Sequence, residues 1–150
     1  MKPVVWFRAL AVVLAIFTLG HTVGTRHAIT NSAGESAVIN SMQGYRVPVM
    51  GFLRSYWDFY RGFSITITVL LAALAVIAWQ LGTLSRRNAR EAFPLAMTVL
   101  AACVANALVS FAYFFTAPMV MSTAAVVCAA MGVALTRKEL RTATQNQQLV

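Results

Sequence analysis

Hydropathy divides the chain into four long apolar runs, residues 4–23, 62–82, 94–116 and 119–136, separated by shorter polar stretches. A helix needs roughly 20 apolar residues to cross a hydrocarbon core. Each run is long enough, or nearly so, and none shows the strand alternation of a membrane barrel. Backbone facing lipid must satisfy its own hydrogen bonds, so the runs are predicted to be helices. The expected fold is therefore an all-α, integral membrane four-helix bundle, forming a single transmembrane domain over residues 1–150 with a polar cytoplasmic tail at 137–150.

The connection between the first two runs is the only long one. Ser32-Ala33-Gly34-Glu35 fits a capping box and predicts a short helix. Ala37, Val38, Met42 and Tyr45 would give that helix an apolar face suited to a membrane surface. Val47-Pro48-Val49 breaks it, and Gly51 permits a turn into the second span. The second helix is expected to start near Phe52, ahead of the uncharged stretch. Residues 83–93 read as a short basic loop, with Pro94 in the first turn of the third helix, and Ala117-Pro118 reads as a tight turn.

Composition fits a membrane protein: 59% of residues are hydrophobic and 11% charged, against about 25% charged in an average soluble domain. The net charge of +8 is unevenly placed. Lys2, Arg8, Arg86, Arg87, Arg90, Arg137, Lys138 and Arg141 fall on one side of the expected membrane. Arg26, Arg46, Arg54 and Arg61 fall on the other. The richer side is expected to be cytoplasmic, which places both termini there and turns residues 24–61 outward. Basic residues that flank spans point to anionic lipid rather than nucleic acid. Lys2 and Arg8 ahead of an apolar run resemble a signal peptide, but no Ala-x-Ala cleavage site follows, so the first span is expected to be retained, with Arg8 snorkelling and Trp6 as an anchor.

The densest chemistry is Arg54-Ser-Tyr-Trp-Asp-Phe-Tyr-Arg61, which runs directly into the second span. On a continuous helix Arg54, Asp58 and Arg61 would fall within about 60° of one another, above a stripe of Thr68, Ala72, Ala75 and Val76. Small residues mark helix contacts in membranes, so this face is expected to pack inward. Tyr56, Phe59, Phe63, Ile67, Leu70, Leu74, Ile77 and Leu81 would face lipid. On the third helix Ala102, Cys103, Asn106, Ser110 and Tyr113 share a face, and on the fourth Ala124, Cys128 and Gly132 form a small-residue stripe. Cys103 and Cys128 read as small buried apolar residues.

These residues admit several chemistries. Arg54, Asp58, Arg61, Trp57, Tyr113 and Asn106 are candidates for an outward-facing ligand pocket. There the arginines would hold an anionic head group and the aromatics would pack against rings or chains. His21 and Asp58 are candidates for an acid–base pair in a membrane-embedded enzyme acting on a hydrophobic substrate. The bland alternative is an Arg–Asp–Arg clasp with interfacial aromatic anchors, and Asn106 as interhelical glue. No acidic residue lies inside a span, which argues against a proton- or cation-coupled transporter. His21 and His27 are not at haem-bundle spacing, and no metal, phosphate-loop or hydrolase motif occurs, so no cofactor is expected. The expected partners are membrane lipids, a hydrophobic ligand or membrane subunit, and a second copy of the chain.

Gly20-His21-Thr22 at the end of the first span, with the Arg54 to Phe63 segment opening the second, resembles a family of uncharacterised four-span bacterial inner-membrane proteins. The layout is also similar, in topology alone, to small DoxX-like membrane proteins. The resemblance implies a four-helix bundle in a bacterial inner membrane and carries no assigned reaction.

Overall fold

A computed structural model describes residues 2–26 and 32–148; His27 lies outside them. The elements are α1 (Pro3–Arg26), α2 (Ala33–Gly44), β1 (Arg46–Val49), β2 (Phe52–Ser55), α3 (Tyr56–Arg87), α4 (Ala89–Tyr113) and α5 (Thr116–Gln148). Four of the helices, α1, α3, α4 and α5, are long and apolar enough to cross a membrane. Their exposed surface is rich in large apolar side chains, such as Leu19, Phe63, Leu108 and Phe115, each at least 66% exposed. Apolar surface on this scale is not tolerated by a water-soluble monomer, so lipid is its solvent. The chain is a multi-pass integral membrane protein.

The chain divides into two compact units, Met1–Phe17 with Leu71–Val150, and Thr18–Leu70. In the first, segments of all four long helices pack as a bundle around one core. Its centre holds Phe7, Leu10 and Leu14 from α1, Leu81 from α3, Val99 and Cys103 from α4, and Ala125, Ala129 and Val133 from α5. Phe7 is fully buried beneath Gly132, where a β-carbon would stand 2.5 Å from its ring. The small-residue stripe of α5 thus serves packing within the chain: Cys128 and Gly132 are buried and Ala124 half-buried. Cys103 and Cys128 are free, buried thiols.

Buried hydroxyls in this unit are satisfied along their own helices. Ser85 donates to Gly82 O at 2.9 Å, Ser110 to Asn106 O at 2.8 Å, Ser122 to Met119 O at 3.1 Å and Thr136 to Gly132 O at 2.8 Å. Back-bonding of this kind lets a small polar residue sit in an apolar layer without a partner helix. Arg8 has a different solution. Its guanidinium carbon lies 3.8 Å from the centre of the Trp79 ring, a cation–π contact that holds the charge against an apolar helix.

The packing face of α3 differs from the expected one. Leu71, Ala78, Leu81, Gly82 and Ser85 are buried, with Leu74 and Ala75 against the core, whereas Ala72 and Val76 are exposed. Leu81, expected in lipid, is fully enclosed. Gly82 is packed against α1: a β-carbon added there would lie 3.4 Å from Phe7 and Arg8. Leucines beside that contact then fill the space around it. On α4 the face through Cys103 and Ser110 is buried as expected, but Ala102 is exposed.

Helix boundaries also move. The residues read as a basic loop are helical except for Asn88, which caps α4 by accepting from Arg90 N at 3.1 Å and Glu91 N at 3.2 Å. Pro94 therefore lies inside α4 rather than at its first turn. Phe114 and Phe115 form the next turn, and Pro118 falls in the first turn of α5, where a missing N–H costs nothing. The tail is helical through Gln148.

In the second unit α2 forms where the capping box placed it, with Ser32 accepting from Glu35 N at 3.2 Å. It buries no residue. The following segment is an antiparallel hairpin that the sequence reading missed, pairing Arg46 with Ser55, Val47 with Arg54, Pro48 with Leu53 and Val49 with Phe52. Its two-residue loop, Met50-Gly51, has positive φ at both positions, 49° and 87°, as a type I′ turn requires. Met50 pays the steric cost of that conformation and is 95% exposed.

Candidate functional site

The hairpin decides where α3 begins. Because Phe52–Ser55 is a strand, α3 starts at Tyr56 and Arg54 is not on the helix. The expected i, i+4 pair of Arg54 and Asp58 does not form. Asp58 instead closes a reciprocal cap with Ser55. Ser55 N donates to Asp58 Oδ2 at 2.8 Å, and Asp58 N donates to Ser55 Oγ at 3.1 Å. This is a capping box with Asp in the place of Glu. Among the described residues Asp58 forms no direct ion pair with Arg54 or Arg61; its carboxylate is engaged in the Ser55 cap, with the charge of Arg54 nearby. Ser55 is 4% exposed, and a buried cap hydroxyl is typically worth about 1 kcal/mol. Ser55→Ala is expected to lower stability by that amount in thermal unfolding in detergent.

The predicted residues then separate onto two surfaces of α3. Arg54 and Asp58 border a shallow groove of about 270 Å³ with Phe59, Gly62, Phe63 and Thr66. Trp57 and Arg61 belong to a larger recess of about 350 Å³, lined also by Thr22 and Thr25 of α1 and by Tyr60, Ser64, Ile65 and Thr68 of α3. Trp57 and Tyr60 stack at 5.4 Å between ring centres and form one wall. Tyr56 turns instead to Tyr45, at the end of α2, and stacks on it at 5.7 Å. Arg54 lies over the Phe52 ring at 5.6 Å.

His21 is half-buried beside this recess, with Nδ1 3.0 Å from Thr68 Oγ1. Thr68 Oγ1 also lies 3.3 Å from Ser64 O, so it joins His21 on α1 to the α3 backbone. His21 and Asp58 have separate hydrogen-bond partners, Thr68 and Ser55. Asn106 and Tyr113 lie on α4, in the other compact unit. Asn106 is half-buried, and no hydrogen bond of its amide forms among the described residues, so it is not interhelical glue there. Tyr113 is 81% exposed.

The recess is chemically mixed. One guanidinium, that of Arg61, is exposed and has neither hydrogen bond nor ion pair among the described residues. Around it stand an aromatic pair, an apolar Ile65 and a row of hydroxyls. The sequence reading singled out Trp57 and Arg61 but missed Thr22, Thr25 and Ser64 as lining residues. The available signal was hydroxyls at helical spacing near one membrane edge, 22 with 25 and 64 with 68. Such an arrangement can bind an anion beside an apolar body, and it lacks a carboxylate to balance the arginine. Compared with family models, with curated proteins and with solved structures, the chain matches none.

Proposed function

We propose that the protein is a non-catalytic, lipid-binding component of a bacterial inner membrane, with both termini cytoplasmic and the recess between residues 22 and 68 facing outward. The observation that carries this reading is the uncommitted Arg61 guanidinium at the edge of an apolar helix, inside a 350 Å³ recess walled by Trp57 and Tyr60. A guanidinium in the headgroup layer attracts anionic groups, and the recess contains no acidic side chain to pair with it. An anionic amphiphile supplies the missing charge. Its headgroup enters the recess, and its chains follow the exposed Ile65 and Val69 along α3, each 59% exposed. Trp57 and Tyr60 suit the interfacial depth this requires.

α3 supports the placement. Its 32 residues span about 48 Å, well beyond a hydrocarbon core of about 30 Å, so one end must project into the headgroup layer. With the basic end near Arg86 and Arg87 held at the cytoplasmic face, the projecting end carries Trp57 and Arg61. α2, with no buried residue and an apolar side, is suited to lie on that same outer surface.

Two experiments test the reading. A reporter active only in the cytoplasm, fused after residue 150, is expected to be active; activity of a periplasm-only reporter there would reverse the orientation. Protein purified in mild detergent is expected to retain a chemically unchanged anionic lipid, detected by mass spectrometry.

A further inference from the structure

The hydrogen bonds around the recess specify more than a negative charge. On the α1 side, Thr22 donates its hydroxyl proton to Thr18 O at 2.8 Å, and Thr25 donates to His21 O at 2.8 Å. Both protons are committed, so these two oxygens offer only lone pairs to a ligand. Arg61 is the reverse, with five donors and no acceptor. The lining therefore offers acceptors at Thr22 and Thr25, and donors at Arg61, Trp57, Tyr60 and Ser64. A bare phosphate monoester satisfies Arg61 and leaves the threonine oxygens facing more oxygen. A headgroup bearing an ammonium would donate to the threonines, but it would bring a second positive charge into a recess that has an arginine and no carboxylate. Neutral hydroxyls on the headgroup resolve both conflicts.

We propose that the recess selects an anionic lipid whose headgroup carries free hydroxyls, a phosphodiester of the phosphatidylglycerol type, with phosphate on Arg61 and glycerol hydroxyls donating to Thr22 and Thr25. This rests on the lipid-binding reading above and adds the identity of the headgroup. One neutral hydrogen bond supports about a fivefold preference, which sets the expected scale.

The test is competitive native mass spectrometry of the purified full chain with phosphatidylglycerol, phosphatidic acid and phosphatidylethanolamine of identical chains. Phosphatidylglycerol is expected to be retained about fivefold over each of the others. Thr22→Val with Thr25→Val keeps the side-chain shape and is expected to abolish the preference over phosphatidic acid while phosphatidic acid binding persists. Unchanged melting of that variant separates lost recognition from lost folding. Equal retention of phosphatidylglycerol and phosphatidic acid by the wild-type protein overturns the headgroup assignment and leaves lipid binding standing. Tighter retention of phosphatidylethanolamine also overturns it. Displacement of the lipid by an equal concentration of soluble glycerol phosphate overturns the lipid as the source of the headgroup. Retention of no anionic lipid overturns both readings.

Discussion

Replacing Gly132 by alanine is expected to destabilise the bundle, although alanine is the better helix former. The added methyl would meet three ring carbons of Phe7 at 2.5, 2.7 and 2.9 Å. A flexible side chain could turn away from such a contact, but Phe7 is 0% exposed and enclosed by the core of its unit. The helices must separate or the ring must leave its rotamer, and overpacking of this kind costs about 1–3 kcal/mol. Phe7→Ala is expected to cost about 3–5 kcal/mol by leaving a cavity. The informative variant carries both changes. An alanine methyl at 132 would enter the space the ring vacates, so the double variant should lose less stability than the two single losses added together. Denaturation in mixed micelles reads all three. Gly132→Ala with wild-type stability, or strictly additive losses, would show that α1 and α5 do not meet at this pair.

That contact shows how far the sequence could be read. The Ala124, Cys128 and Gly132 stripe was visible as a place of close approach because small residues recur at helical spacing. What approaches it was not visible, since Phe7 lies more than a hundred residues away in the chain. On α3 the same rule misled in part. It placed Ala75 against the core correctly but also favoured Ala72 and Val76, which are exposed, over Leu81, which is drawn into the core. Small residues locate a helix contact, but the partner's shape decides which larger residues join it.

Local signals gave a similarly divided result around the site. Ser32 and Glu35 announced α2 correctly, because a capping box has a sequence signature of its own. Ser55 and Asp58 form the same device, but Arg54 and Arg61 on either side made an ion-pair network the more obvious reading of Asp58. The hairpin was hidden for two reasons. Its strands are four residues long, and its turn uses Met50 where Asn or Gly is usual. Missing the hairpin moved the helix start by four residues, and this placed Arg54 on a helix face it does not occupy. Trp57 and Arg61 stood out as candidates because they directly precede a long uncharged run. Thr22, Thr25 and Ser64 did not, since hydroxyls in membrane helices usually bond their own backbone.

The largest functional effect is expected at Arg61. Arg61→Gln keeps a polar side chain of helical preference but removes the charge and most of the donors. A hydrogen bond to a charged group contributes about 1.5–3 kcal/mol. Exposure of the arginine favours the low end, so affinity for an anionic lipid should fall by at least about tenfold. Because the attraction is electrostatic, wild-type binding should weaken as salt rises, and the variant should have lost most of that dependence. Folding should change little, since Arg61 is exposed and makes no hydrogen bond or ion pair among the described residues. Ser55→Ala provides the contrast, with lower stability and lipid affinity kept within about twofold, as expected for a residue that only caps the helix.

The most direct measurement of the central claim is the amount of anionic phospholipid retained by wild-type protein and by Arg61→Gln, compared side by side by native mass spectrometry at matched stability. The account predicts a specifically bound anionic lipid on the wild-type protein and a loss of at least about tenfold in the variant. Equal retention by the two proteins, or none by the wild type, would contradict it.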